Sequence, residues 1–166
     1  MVSVKSGTFD LGLVQTIINP EQMALFIQMQ PGEKEHSINM VRKLTEKGEN
    51  QPDLLVAALL HDVGKLRYPM NPLERIMVVL TKAVIPGQAH QWGSLAPDEW
   101  EDLPGWRKPF VVAEQHAVWG AEMVRQAGVS ALTETLTREH HHPNLNKTNE
   151  AENSLLHKLW VVDNES

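Results

Sequence analysis

His61-Asp62 ends the most apolar stretch of this chain, Leu54 to Leu60. Side chains held there stay close to the core, and two buried polar groups demand partners. One divalent cation partners both. Lys65 follows His61 by four residues, so a continued turn brings its ammonium to the same place. An ammonium is no metal ligand; it would hold an anionic group, most naturally a phosphate oxygen. Gly64 between them suits a helix C-cap and lets another backbone approach closely. His36 shares a helical face with Met40 and Leu44. His116 shares one with Val112, Ala113, Trp119, Gly120 and Met123, and Asp163 with Leu156, Leu159 and Trp160. Taken singly, each histidine fits a satisfied core residue. Asp163, with three residues after it, fits frayed exposure. His140-His141-His142 precedes Pro143. Neighbouring helical residues splay about 100° apart, so at most two of the three converge, and a solvated helix end is the plain alternative. Together the plain explanations fail, because four helices each set a His or Asp among apolar neighbours. A set of His and Asp alone suits Fe, Mn, Zn, Ni or Co without choosing among them. His90 and His157 receive no role.

Helices must position these groups, for the dominant periodicity is helical and no alternating strand pattern stands out. The pattern predicts helices over about 10–18, 20–30, 33–47, 53–60, 71–84, 109–126, 130–141 and 149–164. Pro31-Gly32 reads as a break, Gly48 as a stop, and Asn19-Pro20 and Asn71-Pro72 as caps with proline at the first helical position. The helix after Pro52 is apolar nearly all round and should be the buried centre. Residues 85–108, with Trp92, Trp100 and Trp106 among prolines and glycines, read as a long loop. It is either a surface excursion pinned by its tryptophans or a lid. The expected fold is all-α, a single-domain bundle of about seven helices over 1–166.

Length supports one domain with a sizeable core. With 15 Lys+Arg against 21 Asp+Glu the net charge is -6, which argues against nucleic-acid polymers and anionic membranes as partners. No cysteine is present, so disulfides, thiolate nucleophiles and Cys-based metal sites are excluded. No apolar run approaches the ~20 residues that span a bilayer, and MVSVKSGTFDLG lacks an apolar core of signal-peptide length. A cytoplasmic protein is expected.

His36, then His61-Asp62, then Asp163 resembles the H…HD…D signature of the HD-domain metal-dependent phosphohydrolases. His61-Asp62-Val63-Gly64-Lys65 is similar to the HDxGK form of the HDIG subgroup and of HD-GYP cyclic-dinucleotide phosphodiesterases. His116-Ala-Val-Trp-Gly120-Ala-Glu resembles their H-x-x-x-G-A-E segment, and Arg138-Glu139-His140-His141-His142-Pro143 their R-x-H-H-E-P segment, with His142 at the acidic position. Asn144-Leu145-Asn146-Lys147 stands where Gly-Tyr-Pro would follow, which speaks against cyclic-di-GMP as substrate. The resemblance covers about residues 20–163. It implies that His36, His61, Asp62 and Asp163 bind one metal, and that Asp62, His116, His140 and His141 complete a second. Asp62 would then bridge the two. Pro143 favours His140-His141 over His141-His142 as the ligand pair. Lys65 is implied to contact the phosphate, which makes Lys65 and Asp62 the expected catalytic residues.

The chemistry so implied is hydrolysis of a phosphomonoester, nucleotide or phosphodiester by metal-activated hydroxide, with two ions, Fe or Mn first and Zn, Ni, Co or Mg behind them. The partner would be a small phosphorylated substrate, nucleotides included. Two other readings compete: a di-iron oxygenase of the same fold, and a metal- or nucleotide-binding signalling module without turnover.

Overall fold

The computed structural model describes residues 10–94, 100–141 and 149–166; His142 and the 143–147 stretch lie outside them. Nine α-helices and two 3-10 helices make up the described residues, which contain no strand. The α-helices are α1 (Leu11–Ile17), α2 (Pro20–Phe26), α3 (Pro31–Glu46), α4 (Pro52–Leu60), α5 (Pro72–Val84), α6 (Pro86–Gly93), α7 (Lys108–Gln126), α8 (Ala131–Glu139) and α9 (Glu150–Glu165). The 3-10 helices are Val63–Arg67 and Gly105–Arg107. None of the described helices is long and apolar enough to cross a membrane.

Proline sets most helix starts. It stands in the first turn of α2 to α7, where its missing N–H has no intrahelical partner to lose. Asn19 and Asn71 add capping boxes with Gln22 and Glu74. Pro31-Gly32 therefore does not break a helix. It opens α3, while α2 stops at Phe26, earlier than expected. Gly48 (φ 80°) and Gly128 (φ 74°) end α3 and α7 in the left-handed region.

α4 is the centre of the larger core. Leu54, Ala57, Ala58, Leu59 and Leu60 are fully buried. Around them pack Phe26, Met40, Val41, Leu44, Leu136, Leu156 and Leu159. Each leucine-sized side chain so buried contributes about 1.5–3 kcal/mol. A second cluster joins Val78, Ala89, Trp100, Phe110, Val111 and Val112 between α5, α6 and α7. It absorbs much of the segment expected to be a loop. α6 is helical because Pro86 suits a first turn, and Gly93 lets it lie on α7, where a Cβ would stand 2.2 Å from Glu114 Cγ and 2.7 Å from the Phe110 carbonyl oxygen. Trp92 packs edge-on against Phe110 and Trp106, and Trp100 against Tyr68 and Trp119. These ring contacts pin the tryptophans of the segment to the body of the protein.

Candidate metal centre

α4 stops where the chain tightens. The His61 N–H still bonds the Ala57 carbonyl at 2.8 Å, but Asp62 (φ -94°, ψ 1°) leaves the α-helical geometry and the Lys65 N–H reaches the Asp62 carbonyl at 3.0 Å. The turn is pressed against α7. A Cβ on Gly64 would lie 1.9 Å from the His116 carbonyl oxygen and 2.6 Å from the Gly120 nitrogen. Gly64 is needed for this close approach and does not act as the α4 C-cap, which is His61. Gly120 faces back, where a Cβ would stand 3.1 Å from the Gly64 nitrogen. Two glycines meeting here bring His116 beside Asp62.

All seven proposed ligands converge in two adjoining groups: His36, His61 and Asp163, and Asp62, His116, His140 and His141. In each group one donor atom from every member lies within 4.8 Å of the others. α3 supplies His36, the end of α4 His61 and Asp62, α7 His116, the end of α8 His140 and His141, and α9 Asp163. His36 Nε2 meets Asp163 Oδ1 at 2.9 Å. His61 Nε2 is 3.5 Å from both Asp163 Oδ1 and Asp62 Oδ2. Asp62 Oδ1 is 3.4 Å from His116 Nε2 and 4.0 Å from His140 Nε2. Asp62 Oδ2 also takes the Lys65 ammonium at 2.6 Å. The expected juxtaposition of His36 with Asp163, 127 residues apart, is thus present.

Three of the rings are held in one tautomer. The Nδ1–H of His61, His116 and His140 donates to the Ala58, Val112 and Thr137 carbonyls at 3.0, 2.7 and 2.7 Å. A carbonyl can only accept, so Nδ1 carries the hydrogen and Nε2 turns toward the carboxylates. The Nε2 atoms of His61 and His140 are buried and make no hydrogen bond. His141 is exposed as a residue, yet its Nε2 sits 2.7 Å from that of His116. Its ring centroid is 4.1 Å from that of His140.

Charge follows from this crowding. Burial would push the Asp62 carboxyl up, but His61, Lys65 and His116 outweigh it and hold it well below its ordinary value. Burial likewise opposes Asp163, and its contacts with His36 and His61 hold it low. Burial lowers His61, yet the Asp62 and Asp163 charges beside it leave it raised. His140 falls well below 6.5 through burial and the neighbouring His61 and His141. Desolvation of the His141 ring, then His116, push His141 down to about 3. At neutral pH the second group therefore holds an ionised carboxylate and two neutral imidazoles, His140 and His141.

A divalent transition cation fits this donor set. Two buried nitrogens with fixed tautomers lack partners, and two others face each other at a separation that one of them alone cannot satisfy without a proton. The residues that could hold one ion are His36, His61, Asp62 and Asp163; those that could hold another are Asp62, His116, His140 and His141.

A cavity of about 260 Å³ opens over the cluster, with His36, Asp62, Lys65, His141 and Asp163 in its wall. Glu33 and Arg75 also line it, and the sequence reading missed both. Arg75 Nη2 pairs with Glu33 Oε1 at 2.7 Å and also bonds Gln30 Oε1. No local pattern signals a pair 42 residues apart. A larger cavity of about 690 Å³, with Leu25, Trp100, Trp119 and Arg138 in its wall, shares no lining residue with the cluster. No described residue of the 85–108 segment lines the smaller cavity. His90 lies on α6 and pairs with Glu114 at 3.1 Å, and His157 stacks on Trp160, so both stay apart from the cluster.

Comparison with protein families finds the HD domain model, matching residues 34–162. That span contains every cluster residue except Asp163, which follows it directly. No curated protein and no solved structure matches.

Proposed function

The chain belongs to the HD-domain family, and from that premise we propose that it is a phosphohydrolase working with two divalent ions, Fe or Mn foremost, on a small phosphorylated substrate. The observation that carries this reading is the pair of donor groups meeting at Asp62, whose two oxygens face opposite groups. A carboxylate so placed suits a bridge between ions.

When bound, such a pair of ions supplies an acidified water and draws off charge from the phosphoryl oxygens. The protein's own groups do the rest. The carbonyls of Ala58, Val112 and Thr137 take the Nδ1–H of three imidazoles and so turn Nε2 toward the cluster. Asp62 and Asp163 stay ionised because the cations around them outweigh burial. Lys65, now on Asp62, is the ammonium at the cavity wall that would take a phosphoryl oxygen. Arg75, fixed by Glu33, adds a second cationic group at the mouth. The cavity has room for a phosphoryl group beside these cationic groups.

Elemental analysis of the purified chain, followed by phosphate release from a panel of phosphomonoesters, nucleotides and phosphodiesters, tests the proposal. Two ions per chain and turnover of at least one phosphoester are expected. Full metal content with every phosphoester inert, and dioxygen consumed with an organic substrate instead, would replace it with the oxygenase.

A further inference from the structure

α5 is turned inside out. Its outward face carries Leu73, Ile76, Val79, Leu80 and Val84, each between 55% and 77% exposed. Its three charged residues turn toward the body of the protein instead. Glu74 accepts from the Tyr68 hydroxyl at 2.8 Å, Arg75 pairs with Glu33, and Lys82 pairs with Glu114 at 2.7 Å. Val78, between them, is buried. A helix exposed in this way normally shows water its polar residues. Leu73, Ile76 and Leu80 follow the 3–4 spacing of a seam that packs on another helix, with Val79 and Val84 beside it.

We propose that this face is where a second copy of the chain docks, as an antiparallel α5–α5 contact about a two-fold axis near Val79. Two observations select that occupant. The apolar area is right: at these exposures the stripe with Ile85 offers about 700 Å² per copy, above the ~300–600 Å² of a typical monomer's largest patch and close to the ~800 Å² each partner gives to a standard interface. The charge is right as well. A two-fold interface sets a surface against itself, so any charge on the seam would meet its like. This seam carries none. A lipid surface would instead favour a rim of Lys and Arg around the apolar stripe, and the only two on α5 are engaged in inward ion pairs. The proposal is independent of the metal chemistry.

Sedimentation velocity on the full chain, from low to high micromolar, tests it. A monomer–dimer equilibrium is expected. The double variant Ile76→Glu/Leu80→Glu, with unchanged helical circular dichroism, should raise the dissociation constant at least ~100-fold. Because the chain has no cysteine, Val79→Cys offers a second measurement that needs no disruption. It should give a disulfide-linked dimer on mild oxidation, while Val118→Cys, at an exposed apolar position on α7, should not. A chain that stays monomeric throughout, a dimer indifferent to the two glutamates, or a monomer that binds phosphatidylcholine vesicles through this face would each overturn the proposal.

Discussion

The two donor groups differ in what they can do without a cation. His36 and Asp163 satisfy each other through a direct imidazole–carboxylate contact of 2.9 Å at the edge of the cavity, although the buried Nε2 of His61 beside them has no hydrogen bond. Asp62, His116, His140 and His141 cannot. His116 and His140 face one carboxylate oxygen, His116 Nε2 also meets His141 Nε2 at 2.7 Å, the buried Nε2 of His140 has no hydrogen bond, and the other oxygen is taken by Lys65. Burying an unsatisfied polar group costs about 1–3 kcal/mol. The second group thus carries the greater unmet demand, although both are built from the same residue types. A donor set is defined by its surplus of lone pairs as much as by its membership.

The most severe challenge to that contrast is Asp62→Ala, which removes the residue common to both groups. It should empty both ion positions and lower phosphoester turnover at least ~1000-fold, read by elemental analysis and phosphate release. Retention of one full ion would show the groups to be independent. Gly64→Ala strikes the geometry instead. Its methyl cannot fit against the His116 carbonyl, so the turn and α7 must part. A loss of about 3 kcal/mol or more in denaturant unfolding is expected, with metal affinity falling alongside; Gly120→Ala, with 3.1 Å available, should cost less.

Lys65→Ala sharpens the contrast in the other direction. It frees the second oxygen of Asp62, so metal content should hold or rise, while KM for the phosphoester rises about 10–100-fold. Loss of metal with unchanged phosphate affinity would remove Lys65 from its proposed role. The smallest effect is on pH. In chelated protein His140 is depressed below 6.5, so unfolding takes up a proton that folding excludes. Its stabilising contribution is complete above pH 6.5 and declines as pH falls below it, by about 1 kcal/mol between pH 7 and 5.5. His141 adds a smaller part because it is exposed. His61, raised, shifts the opposite way and contributes below 6.5. Metal-loaded protein should show a shallower decline in thermal melts.

Much of this centre was legible because its signals are local. An apolar helix ending in His-Asp, and His or Asp breaking an apolar helical face, need only neighbours in the chain to be noticed. The expected partnering of His36 with Asp163 came from the family resemblance, since no periodicity relates α3 to α9. What escaped was of two kinds. Pro31, Pro86 and Gly93 read as breakers by composition, yet the prolines sit in first turns and Gly93 serves contact between helices. Arg75 and Glu33 met only through tertiary packing.

The carbonyl-anchored rings bear on how a cation would arrive. His140 and His141 are already without their titratable protons at neutral pH, and His61 is the ring inclined to keep one. Loading then involves little proton traffic from the inner imidazoles. Calorimetric titrations in buffers of unlike ionisation enthalpy would count it, and the ring wedged between two carboxylates is one through which acidity would hinder uptake.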